Sequence, residues 1–551
     1  MTGVLTGARP TSWLARASAR LPDRWRSRAA TILPGPHAPP LEPGRATPRV
    51  AIIGTGFGGI GMAVRLRQAG IDDVTIFEKA DAVGGTWRDN TYPGAACDVP
   101  SHLYSLSFAP KADWSRRFPP QDEILDYLNG VVDDFGIRPL VRFGTEVAEA
   151  AFDETDATWE LTLADGTSER YEILVSATGQ LNVPYTPDLP GLGDFAGHTF
   201  HSARWDHDHD LTDRDVAVVG IGASAIQFVP AIAERVRSLT LFQRSVNYVA
   251  PKPDGEFSDR AKSVFARLPL ARRLYRAWIW ARFDARWLAF RRGSKLGALG
   301  RQRFTDQLSK LVSDDLPAEA LIPDYPLGCK RILIANDWYP TLLRPNVKVV
   351  TGGIDRVEPD GITVDGVTHA ADTIIFGTGF RSTDFLTPVQ VRGRGGRDLH
   401  QVWSEGAEAH LGITVAGFPN LFLLYGPNTN LGHNSIVFML ERQISYALSC
   451  IRRMVEDGFD SIEVRAEAQT ASNEALEREL ERTVWAADCH SWYKLDSGRI
   501  TNNWAGTTAR YWWHTARPHW SEFLFESASD RTESPPRAAT SRRSPQPAGA
   551  G

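Results

Sequence analysis

Val50-Ala51-Ile52-Ile53-Gly54-Thr55-Gly56-Phe57-Gly58-Gly59 decides the fold of this chain. Its first four residues form a short apolar run, as a strand buried on both faces does. The glycines follow at once, and helical periodicity continues to about Ala69. Gly54 permits a tight turn, Gly56 lets the backbone approach a pyrophosphate, and Gly59 lets helix and strand pack closely. The helix N-terminus then faces the phosphates. A second strand, Val74-Thr75-Ile76-Phe77, ends in Glu78, where a carboxylate accepts hydrogen bonds from ribose hydroxyls. Gly54, Gly56, Gly59 and Glu78 are the expected dinucleotide contacts.

The same grammar recurs downstream. Asp215-Val216-Ala217-Val218-Val219 leads into Gly220-Ile221-Gly222-Ala223-Ser224-Ala225 and a helix to about Val236. The next strand, Leu239-Thr240-Leu241-Phe242, ends in Gln243-Arg244-Ser245. An acid at the strand end favours a free 2′-hydroxyl; here it is absent, and Arg244 is available for a 2′-phosphate. The first site therefore reads as FAD and the second as NADPH, with Gly220, Gly222, Ser224, Ala225, Arg244 and Ser245 as contacts. The fold class is α/β, with two Rossmann-like dinucleotide-binding domains. From about Lys252 to Leu321 the pattern turns helical and rich in Arg and Trp, a helical insertion. Such basic aromatic helices pack on the body, the commoner outcome, or lie on a membrane surface.

Residues 49–180 are expected to form the first part of the FAD-binding domain and 181–370 the NADP-binding domain. Residues 371–526 return to the FAD domain, with Thr373-Ile374-Ile375-Phe376 and Gly377-Thr378-Gly379 re-entering the first sheet. Residues 1–48 are rich in Arg, Ala and Pro and read as a disordered extension, 527–551 as a disordered tail. A basic amphipathic helix over Trp13–Trp25 is the other reading of the former.

A hydrophobic content of 42%, charged content of 23% and net charge of −5 describe an ordinary globular chain with no basic field for nucleic acid. No apolar run reaches the ~18 residues of a spanning helix. Cys97, Cys329, Cys450 and Cys489 form no CxxC pair, so no disulfide is expected and a cytoplasmic location is. The same absence removes dithiol reductases. His201, His207 and His209 alternate with Asp206, Asp208 and Asp210, which reads as a solvated turn rather than a metal site.

Two further stretches carry a resemblance. Phe195, Gly197, His201, Trp205 and Asp206 fit F-x-G-x-x-x-H-x-x-x-W-D, and Gly84-Gly85-Thr86-Trp87, Tyr92-Pro93-Gly94 and Asp98 fit a second pattern at every fixed position. Together they resemble the type I Baeyer–Villiger monooxygenases. Related flavin-containing and N-hydroxylating monooxygenases lack Trp followed by Asp. The resemblance spans about Arg49 to Phe525. It implies that Thr86, Trp87, Asp98 and Tyr104 lie along the flavin. It also implies that Lys330, in Leu327-Gly328-Cys329-Lys330-Arg331, reaches the NADP phosphate and that Arg331 enters the flavin site. Tyr425-Gly426-Pro427-Asn428 resembles the last flavin-contacting turn. Ser491-Trp492-Tyr493 and Asn503-Trp504-Ala505-Gly506 resemble the 4-hydroxyacetophenone monooxygenase branch, with Trp504 at the cofactor.

The implied activity uses NADPH and O2 to convert a ketone to an ester or lactone through a C4a-peroxyflavin. Arg331 would supply a fixed positive charge, Asp98 would hold it, and His201 would couple domain motion to cofactor placement. S- or N-oxygenation, uncoupled NADPH oxidation and a non-catalytic, binding flavoprotein are the alternatives. The expected partners are a small ketone and O2, with peripheral membrane contact left open and the chain monomeric or weakly associated.

Overall fold

The computed structural model describes residues 41–42, 44–489 and 491–527. Two five-stranded parallel sheets organise it. The first has the order Leu421–Leu423, Ile173–Ser176, Val50–Ile53, Val74–Phe77, Val141–Arg142. The second has the order Val347–Thr351, Ser238–Gln243, Asp215–Val219, Thr373–Phe376, His198–His201. All four residues of Ile173–Ser176 and of Thr373–Phe376 are buried, which is why these strands read as unbroken apolar runs.

The helix Phe57–Gln68 lies against the long helix Ile436–Asp457. A Cβ on Gly61 would stand 2.8 Å from Ile444 Cδ1, so the two approach closely. The long helix stops at Gly458, whose φ of +76° allows Phe459 N–H to reach back to Met454 O at 2.9 Å. Among the described residues, no helix is long and apolar enough to cross a membrane.

Thr373–Phe376 corrects the expected topology. It pairs with Asp215–Val219 and His198–His201 in the second sheet rather than re-entering the first. The two folds are built alike. A Cβ on Gly54 would stand 2.7 Å from Ala177 O, and one on Gly220 would stand 2.7 Å from Gly377 O. Gly377-Thr378-Gly379 is thus to the second fold what Ala177-Thr178-Gly179 is to the first. The chain rejoins the first sheet only at Leu421–Leu423.

The insertion comprises the helices Asp259–Arg267, Pro269–Asp284 and Lys295–Leu308, a 3-10 segment Ala285–Phe290, and Ala318–Leu321. Two polar anchors fix it to the first fold. Arg276 donates to His102 O at 2.7 Å and Ser105 O at 2.9 Å, and pairs with Glu441 at 3.4 Å. Asp284 accepts from Thr508 N–H and Oγ1, both at 2.7 Å.

Cys329 and Cys489 form a disulfide 160 residues apart in sequence, against the expectation of none. The return of the C-terminal segment brings them together, a long-range event that local cysteine spacing does not encode.

The N-terminal expectation also shifts. Residues 1–40 and 43 lie outside the described residues, as do 528–551. Leu41, however, is buried and donates its N–H to Ala69 O at 2.9 Å, while Arg45 donates to Glu456 O at 2.7 Å. The body therefore begins before residue 48. Removing residues 1–45 should cost about 2 kcal/mol, the burial of one Leu side chain, whereas removing 1–40 leaves that contact intact. Denaturant midpoints of the two truncated chains should differ accordingly; equal midpoints would refute the anchoring.

Candidate active site

The first Gly-rich turn does what its sequence requires. A Cβ on Gly59 would collide with Gly54 O, so strand and helix touch there. The helix N-cap is Gly56, which offers no side-chain cap, and the first amides remain available to an anion. Gly85, with φ +52°, brings its own Cβ position to 3.2 Å from Gly56 Cα and closes the turn from above. Glu78 is buried at the strand end and accepts from Thr55 N–H at 3.1 Å and Thr55 Oγ1 at 2.5 Å, with Arg88 at 3.0 Å. Gly54, Gly56, Glu78, Thr86, Trp87, Tyr104 and Tyr425 line one cleft along this turn. Trp87 donates its indole N–H to the Tyr104 hydroxyl at 3.2 Å. Burial holds that hydroxyl well above the ordinary tyrosine range, so it stays protonated.

The second turn is similar, with Gly220 at φ +98° and the helix Ala225–Ile232 starting after Ser224 without a side-chain cap. Lys330 Nζ donates to Ser245 Oγ at 2.6 Å. Burial lowers the Lys330 pKa, Asp324 opposes, and the charge of nearby Arg244 lowers it further. Two cations held together beside a hydroxyl are matched to a phosphate.

The loop Tyr92–Asp98 joins the two folds. Gly94, at φ +80°, lies where a Cβ would stand 2.9 Å from Gln227 O on the helix Ala225–Ile232. Gln227 Oε1 accepts from Ala96 N–H at 2.8 Å. At the end of this loop Asp98 Oδ2 accepts from Arg331 Nε at 2.9 Å and Nη2 at 2.5 Å. The pair thus links a residue of the first fold to one that follows Lys330. The side chains are 26% exposed for Arg331 and 29% for Asp98, and neither lines the cleft along the first turn. Asp98 raises the Arg331 pKa, and the guanidinium remains charged at any working pH. Tyr493, fully buried, lies beside it: burial pushes its pKa up to about 12, with Arg331 opposing. Arg286, from the insertion, also feels Asp98. Sequence reading did not single out Tyr493 or Arg286 as site residues, since each reaches the pair from a distant segment.

The fingerprint residues sit elsewhere. A Cβ on Gly197 would collide with Asp372 O, and Trp205 packs on Phe228 with ring centroids 5.3 Å apart. Asp206 accepts from Asp208 N–H at 3.0 Å and contacts His198 Nε2 at 2.8 Å. His201 is buried, accepts from Ala203 N–H at 3.0 Å and faces the Gly379 turn; burial lowers its pKa to about 4, so the ring is neutral at pH 7. None of these contacts reaches Asp98 or Arg331. His207 and His209 meet Thr91 Oγ1 at 2.8 Å and Thr373 Oγ1 at 2.9 Å, on separate elements. Trp504 does not line the cleft. It is buried with Leu431, Met439 and Tyr511, and its indole N–H is donated to Thr507 O at 3.1 Å.

A guanidinium fixed where two nucleotide folds meet suits an oxidoreductase that passes electrons between two dinucleotides. Residues 51–258 match the pyridine nucleotide-disulphide oxidoreductase family, a stretch that holds neither Cys329 nor Cys489. The chain is 44% identical over 484 residues to a Baeyer–Villiger monooxygenase of Streptomyces coelicolor, covering 86% of this chain and 92% of the relative. It is 45% identical over 466 residues to a Baeyer–Villiger monooxygenase of Pseudomonas aeruginosa, covering 84% and 88%. Among solved structures, a steroid monooxygenase bound to NADP superposes with a TM-score of 0.78 at 30% identity, covering 88% of this chain and 100% of that one. Cyclohexanone monooxygenase from Rhodococcus sp. Phi1, bound to NADP+, does so with 0.78 at 27%, covering 88% and 100%. The chain belongs to the Baeyer–Villiger monooxygenases, and is a flavin- and NADPH-dependent monooxygenase.

Proposed function

We propose that the protein inserts one oxygen atom beside the carbonyl of a ketone, with FAD in the cleft along the first Gly-rich turn, NADPH at the second turn and Arg331 as the charge that serves the oxygenation. The observation that carries this reading is the Arg331–Asp98 pair at the junction of the two folds. The two turns fit the cofactors: uncapped helix starts for pyrophosphates, Glu78 for the flavin-side ribose, Arg244, Ser245 and Lys330 for a 2′-phosphate.

When bound, NADPH would supply the hydride, and FAD so reduced would activate O2. The remaining work falls to side chains. Arg331 faces developing negative charge with a cation that does not lose its proton. Asp98 holds both Nε and Nη2, fixing the plane of the guanidinium. Tyr493 and Tyr104, held protonated by burial, add no charge of their own. His201 is a positioning residue, set between the fingerprint strand and the Gly379 turn.

NADPH should be preferred over NADH by at least ~10-fold, since a charge-assisted phosphate contact contributes ~1.5–3 kcal/mol. Arg244→Ala should erode that preference through KM for NADPH with kcat little changed. Equal use of both nicotinamides by the unmodified protein would overturn the phosphate assignment.

The function itself is tested by NADPH consumption and product analysis across linear, cyclic, aromatic and steroidal ketones. At least one should yield ester or lactone in step with NADPH consumed. Hydrogen peroxide alone with every ketone would favour an uncoupled oxidase instead.

A further inference from the structure

The insertion has two unlike faces. The inner face of Pro269–Asp284 carries Arg276, Ile279, Trp280 and Phe283, and it is the face that packs on the first fold. On the outer face, Leu270, Leu274 and Trp278 stand 66%, 62% and 55% exposed. They are spaced i, i+4, i+8, so they form one ridge along the helix. Leu268, at the junction with the preceding helix, extends it with 56% exposure. Of the fifteen large apolar side chains exposed among the described residues, eight fall between Val264 and Leu299, so the exposure is concentrated here rather than scattered.

The same stretch concentrates positive charge. Residues 259–310 hold fourteen Lys and Arg against three Asp, in a chain whose net charge is −5. Arg267, Arg273 and Arg282 are exposed beside the ridge, and the Arg282 guanidinium lies 5.5 Å from the Trp278 ring centroid.

We propose that this face docks on the surface of an anionic phospholipid bilayer. The two properties select the partner together. An anionic interface accepts Leu and Trp at the headgroup–acyl boundary while its phosphates meet Arg and Lys. A nucleic acid would satisfy the cations and leave the ridge wet. A two-fold contact with a second copy would press like charges against each other. The helix would lie in the interface plane rather than span the membrane. The proposal does not depend on the reaction assigned above.

Flotation of the full-length protein with phosphatidylcholine vesicles, with and without phosphatidylglycerol, tests it. Binding should be at least ~10-fold stronger to the anionic vesicles and should fall as salt rises. Leu270→Gln/Leu274→Gln/Trp278→Gln should lose most of the binding, as should Arg267→Ala/Arg273→Ala/Arg282→Ala. Both variants should keep bound flavin and NADPH turnover in solution, which shows that the fold is intact. Equal binding to neutral and anionic vesicles, or binding untouched by either triple substitution, would overturn the proposal. So would sedimentation of a dimer that the apolar triple substitution dissociates, since a second copy would then be the occupant.

Discussion

Arg331→Ala should retain FAD, retain reduction by NADPH, and form ester ~10²–10³ more slowly, the usual loss when a preorganised charge facing a developing anion is removed. The effect follows from geometry. Asp98 engages two nitrogens of the guanidinium, so its plane is fixed before substrate arrives. Reorganisation at the moment of reaction is therefore small. Arg331→Lys should recover only part of the rate, because an ammonium on a flexible stem reproduces neither the fork nor its orientation. Asp98→Ala should weaken the same step by loosening Arg331. Stopped-flow spectra separate flavin reduction from oxygenation. Ester formation by Arg331→Ala at the unmodified rate would remove Arg331 from the mechanism.

Glu441→Ala should destabilise the protein by about 3–5 kcal/mol, the cost of leaving a buried cation without its counter-charge. Glu441 lies in the long helix, is buried, and accepts from Ser107 N–H at 2.8 Å and Ser107 Oγ at 2.6 Å while pairing with Arg276. Burial lowers the pKa of Arg65, Arg276 and Arg442, and Glu441 opposes that shift in each. One carboxylate thus balances three guanidinium groups, one of which ties the insertion to the first fold. Glu441→Leu combined with Arg276→Met should be less damaging than Glu441→Ala alone. A midpoint in urea changed by less than the equivalent of ~1 kcal/mol would show that the cluster is hydrated rather than buried.

The parts of the fold written in local sequence were legible from it. Gly54, Gly59 and Gly220 stand where a Cβ would run into backbone, and the strand-end contrast between Glu78 and Arg244 survives in the structure. Lys330-Arg331 was singled out only through the resemblance; in the structure the two side chains turn to different partners, Ser245 and Asp98. Thr373–Phe376 was misplaced for a physical reason. Four apolar residues and a Gly-Thr-Gly turn specify a central parallel strand, but not which of two similar sheets it joins. The Cys329–Cys489 link, the arrival of Tyr493 beside Arg331 and the docking of Leu41 all depend on contacts far apart in sequence. Trp504 was expected at the cofactor only through the resemblance; in the structure its ring is buried with Leu431, Met439 and Tyr511 and its N–H is donated to Thr507 O.

The fingerprint also gains a physical account. Gly197 permits a backbone crossing, Trp205 packs on the second fold and His201 faces the turn after Thr373–Phe376. These roles concern how the second fold is assembled. The chemistry proposed above rests instead on the Asp98–Arg331 pair.

The most direct test is the fate of molecular oxygen. With NADPH, a ketone and ¹⁸O₂, mass spectrometry of the product should show an ester or lactone carrying one labelled oxygen, formed in step with NADPH oxidation. If no ketone gave labelled ester while a thioether gave labelled sulfoxide efficiently, oxygen insertion beside a carbonyl would be contradicted.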